Sequence, residues 1–163
     1  MTRNEYPGAV FVGPPSIALE TPDGWTPLIN PDAAIAVIRV PVEGEPFTPN
    51  VVVQHLRFPG GYSLDQAIVA VDSALDSLDE VQDGGRDAGE QFGVPTYIRE
   101  VGFRHPDVGT LIQHVRVLAV QNGPYVDVVQ VTGTVAGNVV LEDLPLVRSI
   151  ADSVDVTVSA AVS

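Results

Sequence analysis

Apolar residues recur most regularly between positions 64 and 78. Leu64, Ile68, Val71, Leu75 and Leu78 follow one another at spacings of four, three, four and three, which draws one stripe down a helix and predicts an α-helix over 64–80. Ser63 with Gln66 three residues later makes a capping-box pattern, and Asp65 sits where the helix dipole favours an acid. Asp65, Asp72, Asp76 and Asp79 are then expected on the face turned to water. Elsewhere the apolar positions read as strands. The β-branched runs over 33–40 and 51–58 are bounded by prolines and glycines, and 96–104, 110–120 and 125–135 follow one another with HPDVG and QNGP between them, turn sequences suited to an antiparallel meander. Pro22-Asp23-Gly24 before Trp25 reads as a turn opening a hairpin.

Asp143 precedes Leu144 and Pro145 and predicts the N-cap of a second, shorter helix carrying Leu146, Val147, Ile150 and Val154. The stretch over 81–93, VQDGGRDAGEQFG, has no apolar period and reads as a flexible connector able to act as a lip over a groove. Residues 1–15, with Pro7, Pro14 and Pro15, read as an arm holding one short strand over 9–12. The run VTVSAAVS at the end is expected to fray. A single domain over 16–157 follows, between the arm and a tail over 158–163, with no internal repeat. The element order predicts an α+β sandwich in which an antiparallel sheet of six or seven strands is flanked by two helices.

Composition narrows the function. With 163 residues, 45% of them hydrophobic, the chain can bury one real core. Its formal charge of −13 opposes phosphate backbones and anionic lipid, so no nucleic-acid partner is expected; the charge serves solubility or a basic partner. All eight basic residues are arginine, a hint of coding bias in the source. The absence of cysteine excludes disulfides, thiolate metal sites and thiol nucleophiles. No run approaches the roughly 18 apolar residues of a membrane span, and no basic head with an apolar run opens the chain, so a cytoplasmic location is expected.

Several phrases carry a resemblance: P-D-G-W at 22–25, FTPNVVVQHLRF at 47–58, the helix opening S-L-D-Q-A at 63–67, and three successive strands before a terminal helix. Over residues 14–155 the chain resembles the LpqN/LpqT proteins of actinobacteria, within the broader Mog1/PsbP-like fold group. The resemblance implies an α/β/α sandwich and a non-catalytic binding or accessory domain, and it brings no catalytic residues and no cofactor. Its members are typically lipoproteins anchored through an N-terminal cysteine. That residue is missing here, which leaves an envelope or secreted location as the family-based alternative.

Candidate chemistry is sparse. His55 and Arg57, like His114 and Arg116, lie two apart in predicted strands and so share a face. Such a face suits an acidic group on a peptide or ligand, or carboxylates from neighbouring strands. Neither histidine has a second ligand at metal spacing on its own element, so no metal is expected; His105, beside Pro106, reads as solvated. No G-x-S-x-G elbow, calcium loop or phosphate-binding glycine loop occurs. Phe47, Tyr62 and Phe92 fall in predicted loops or at element ends and are the aromatic candidates for contact with a ligand. The leading expectation is a module that holds a protein segment or an apolar ligand on a sheet face or sheet–helix groove. The alternatives are an enzyme with a polar site around His55, His114 and Arg116, and a self-assembling structural protein.

Overall fold

The computed structural model describes residues 1–158. A short β1 (Ser16–Ala18) and β2 (Trp25–Pro27) precede β3 (Ile35–Arg39) and the long β4 (Asn50–Pro59), which leads into α1 (Leu64–Asp76). Then come β5 (Gln82–Gln91), β6 (Val94–His105), β7 (Gly109–Asn122) and β8 (Tyr125–Ala136), a single 3₁₀ turn at Gly137–Val139, α2 (Val140–Asp152) and β9 (Asp155–Thr157). Seven strands form one antiparallel sheet in the order β2-β3-β4-β8-β7-β6-β5, and β1 pairs with β9 in a separate two-stranded sheet. The architecture is α+β, with one helix on each face of the large sheet.

Local rules account for most elements. Ser63 caps α1 as its residue type predicts: its Oγ accepts from the Gln66 amide, and the Gln66 side chain accepts from the Ser63 amide. α1 buries Ala67, Val71 and Leu75 on Tyr97, Val101, Val115, Val117, Val126 and Val128. On the opposite face α2 lays Leu144, Val147, Ile150 and Ala151 over Val51, Val53, Val129, Val131 and Val135. Each buried valine, leucine or isoleucine among them contributes about 1.5–3 kcal/mol by leaving water, and each alanine less. The approach of α2 is close enough that β8 needs a glycine: a Cβ on Gly133 would overlap the Val147 side chain.

Five expectations are corrected. Residues 81–93 are no flexible connector: Phe92 (φ 52°) and Gly93 (φ 76°) form a two-residue turn that folds the chain back, so β5 pairs along β6 with a bulge at Asp83/Gly85. Nearly every β5 side chain is exposed, so no apolar period marks it; its backbone bonds make the strand. Residues 9–12 form no strand. Asp143 is not the N-cap of α2; it lies in the first turn after Val139, where it is buried and accepts from Arg39 Nη1 at 2.9 Å. The terminal run does not begin to fray at 156, because β9 pairs with β1 there; residues 159–163 lie outside the described residues. Helix α1 stops at Asp76, with Ser77 as its C-cap, and its Asp72 turns to the sheet, whereas Asp76 bonds Arg99 yet stays exposed, as expected.

Candidate functional site

Direct partners in an antiparallel ladder share a face, so the register shows which side chains each helix covers. His55 lies opposite Val129 and Arg57 opposite Asp127, while His114 lies opposite Gly133 and Arg116 opposite Val131. All four candidates therefore occupy the α2 face. The structure does not bring the two pairs together: β8 runs between them, and Val129 and Gly133 are four residues, or roughly 13 Å, apart along it.

At the first pair, Asp127 is fully buried and receives four hydrogen bonds or close contacts. His55 Nε2 meets its Oδ1 at 2.7 Å, Arg57 Nε and Nη2 donate to Oδ1 and Oδ2 at 2.8 and 3.0 Å, and Asn122 Nδ2 donates to Oδ2 at 2.8 Å. Burial alone would raise the pKa of this carboxyl, but the bonds from Arg57, His55 and Asn122 outweigh it and hold the carboxyl below its ordinary range. The guanidinium also lies 4.3 Å above the Tyr125 ring. Arg57 and Asn122 turn their remaining donors on the N-terminal arm.

The second pair is also enclosed. His114 is buried, and its Nε2 accepts from Arg116 Nε at 3.1 Å, which leaves the ring proton on Nδ1, 3.4 Å from Glu100 Oε1. Burial, opposed by Glu100 and reinforced by Arg116, pushes the His114 pKa below its ordinary value. Arg148 from α2 grips Glu100 with two bonds of 2.8 Å, and Arg116 reaches Asp152 at 3.0 Å. These contacts staple α2 to β6 and β7. Among the described residues no group of three or more His, Cys, Asp or Glu is placed to hold a metal ion.

The other face differs. α1 packs over β6 and β7, held on that side by a charge cluster at the solvent edge: Arg99, itself almost without solvent contact, donates to Asp72 at 2.9 Å and to the exposed Asp76 at 2.6 Å, and lies 3.4 Å from Asp83. Burial, together with the bond its hydroxyl donates to Asp72, pushes the Tyr97 pKa up to about 12. With the helix held there, the β4 and β8 side of the face stays open. A groove of about 230 Å³ remains between helix and sheet. Leu56 and Phe58 of β4 and Val128 and Gln130 of β8 line the sheet side, and Ala67, Ala70, Val71 and Ala74 the helix side. Tyr62 stacks on Phe58 at 3.8 Å and lines the same groove. Leu56 keeps 56% of its surface exposed, unusual for a leucine in a central strand.

Of the aromatic candidates, Tyr62 is thus in the groove, Phe47 is half-buried in the β3–β4 loop, and Phe92 is exposed at the β5–β6 turn. Sequence reasoning passed over Leu56 and the helix alanines. Their signal was present: Ala67, Ala70 and Ala74 stand at i, i+3 and i+7 and leave one flank of α1 without bulk.

No family model and no curated protein matches this sequence. Solved structures do match. LpqN of Mycobacterium tuberculosis, described as involved in cell envelope biogenesis, superposes with a TM-score of 0.77 at 16% identity, over 89% of this chain and 85% of that one. The cyanobacterial PsbP of Synechocystis gives 0.58 at 15% identity over 89% and 95%. The Saccharomyces cerevisiae Ran-binding protein Mog1p gives 0.55 at 13% identity over 90% and 93%. The chain has an LpqN-like fold within the Mog1/PsbP-like group, as the sequence phrases implied.

Proposed function

We propose that this chain is a non-catalytic binding module whose groove between α1 and the β4–β8 side of the sheet holds an apolar segment of a partner protein or an apolar ligand. The observation that carries the reading is the inequality of the two faces. One is covered over most of its area by α2, its arginine staples and the arm, with a concavity left at its β3 edge beside His55, while the other keeps an open, mostly apolar groove with Leu56 exposed at its side. Tyr62 and Phe58 form a rigid aromatic wall there, suited to an inserted apolar side chain. A binding role agrees with the Ran-binding description of Mog1p, and the envelope role of LpqN supports the envelope as an alternative to a cytoplasmic location. Among the described residues no helix is long and apolar enough to cross a membrane. With a net charge of −13, the partner is neutral or basic around its apolar contact.

One observation favours the enzymatic alternative: His55 meets Asp127 beside a concavity of about 280 Å³ lined also by Pro14, Pro15, Ala34 and Ile35. Against it, Asp127 is already engaged by Arg57 and Asn122, so the pairing serves structure better than proton transfer.

The test is affinity capture from native lysate with wild type, Ala70→Arg and Ser73→Arg, analysed by mass spectrometry for proteins and extracted small molecules. The groove reading expects a species retained by wild type and Ser73→Arg and lost by Ala70→Arg. Identical captures from all three would overturn it.

A further inference from the structure

The N-terminal arm is seated by side chains. Residues 1–11 belong to no strand, and β1 pairs only with β9, apart from the main sheet. Arg57 Nη1 donates to the Val12 carbonyl at 2.7 Å, Arg57 Nη2 to the Gly13 carbonyl at 2.7 Å, and Asn122 Nδ2 to the Gly13 carbonyl at 3.0 Å. Both side chains are held by the buried Asp127, whose bonds come from His55, Arg57 and Asn122 and none from the arm. Their donors are thus aimed at two successive main-chain carbonyls by a scaffold already in place. Because Asp127 neutralises Arg57, the site suits neutral carbonyl oxygens better than a free anion. Pro14 and Pro15 have no amide hydrogen, so a segment ending in Gly-Pro-Pro leaves no donor unpaired there.

We propose that Arg57, Asn122 and Asp127 form a carbonyl-reading site for an extended Val-Gly-Pro-Pro segment, occupied here by the chain's own arm, and that in trans it takes the same segment from a second copy of the chain. The fit points to that occupant. The Val12 methyls lie against Gly123, where an added Cβ would come within 3.2 Å, and Pro15 is buried. A second copy supplies each of these contacts by identity. Arg3 and Glu5 are the only charged side chains in residues 1–18, so the exchanged segment brings no net side-chain charge to a body that is otherwise strongly acidic. Residues 21–24 are exposed and lie in the connection between β1 and β2, across which β1 re-forms its three pairs with the β9 of the other copy.

The chain contains no cysteine, so engineered ones report without background from native thiols. A Cβ at Gly123 would stand 3.9 Å from the Val12 Cβ, inside disulfide range, and the φ of 59° there costs a cysteine only about 1–2 kcal/mol, too little to keep a seated arm from closing the bond. The Val12→Cys/Gly123→Cys double variant, oxidised when dilute, is expected to close within one chain; if it does not, the arm is not seated on this site and the proposal fails. The Val12→Cys and Gly123→Cys single variants are then mixed near the roughly millimolar effective concentration of a tethered segment. The expected result is an interchain 12–123 disulfide, identified by mass spectrometry of the linked peptides. It should exceed by about tenfold the product of Val12→Cys with Ser73→Cys, a cysteine placed elsewhere on the exposed surface. Added salt should increase it, by screening the repulsion between two bodies of charge −13. A yield no greater than the Ser73→Cys background, with the double variant closing normally, overturns exchange. The groove on the other face takes no part in this measurement, so its outcome is independent of the capture experiment.

Discussion

The two faces of the large sheet are built from the same kinds of strand residue, yet one is sealed over its centre by a helix and the other is half open. On the α2 face, Val51, Val53, Val129, Val131 and Val135 lie under Leu144, Val147 and Ile150, and the polar positions at either side are paired with Asp127, Glu100 and Asp152. On the α1 face, Arg99 binds Asp72 and Asp76 and holds the helix toward β6, which leaves Leu56 and Val128 beside a flank of alanines. The difference teaches that the placement of charge decides where a helix lies on a sheet, and that its placement decides which apolar surface remains for a partner.

The largest effect is expected at the sealed face. Arg57→Gln leaves Asp127 buried without its main counter-charge and should cost about 3–5 kcal/mol, read as a lower urea midpoint; a loss below about 1 kcal/mol would mean that the arm and Asp127 relax freely. Next, Gly133→Ala places a methyl group against Val147 and should cost about 3 kcal/mol, whereas the larger enlargement Ala70→Val at the groove should stay within about 1 kcal/mol, most of it helix propensity. Equal costs from the two enlargements, in thermal unfolding, would erase the distinction between sealed and open faces.

His114 gives the comparison a pH dependence. Its folded pKa lies below the ordinary value of 6.5, so the folded state binds fewer protons than the unfolded chain. The stability it contributes is present above pH 6.5 and is lost as pH falls from there through the folded pKa. Wild type should therefore lose stability below pH 6.5 more steeply than His114→Gln, measured by urea midpoints at successive pH values; parallel profiles would count against a buried neutral imidazole. The smallest expected effect lies off both faces. Phe92→Asn should stabilise by up to about 1 kcal/mol, because asparagine accepts the positive φ of the β5–β6 turn more readily. A loss of stability would show that Phe92, though exposed, packs on something that its position does not suggest.

Much of this architecture was legible before the fold was known. The stripe from Leu64 to Leu78 and the Ser63–Gln66 box located α1, and the strand pairs around HPDVG and QNGP located the meander. The misplacements share a cause. β5 is made by backbone bonds to β6 and carries no apolar period, and Asp143 looked like a cap because a buried bond to Arg39 cannot be inferred from its neighbours. The His/Arg pairs were visible as a period-two pattern, but their carboxylates were not: Asp127 is 70 residues from Arg57, and Asp152 is 36 from Arg116.

By itself, then, the sequence determined what local physics controls: where most helices and strands begin, which side of each is apolar, which turns are tight, and that no thiol chemistry is available. Only the tertiary structure decided which face each helix covers, which acid neutralises each arginine, and where apolar surface is left open. Those outcomes depend on the register among strands distant in the chain, and a shift of one residue in that register would move every side chain to the opposite face.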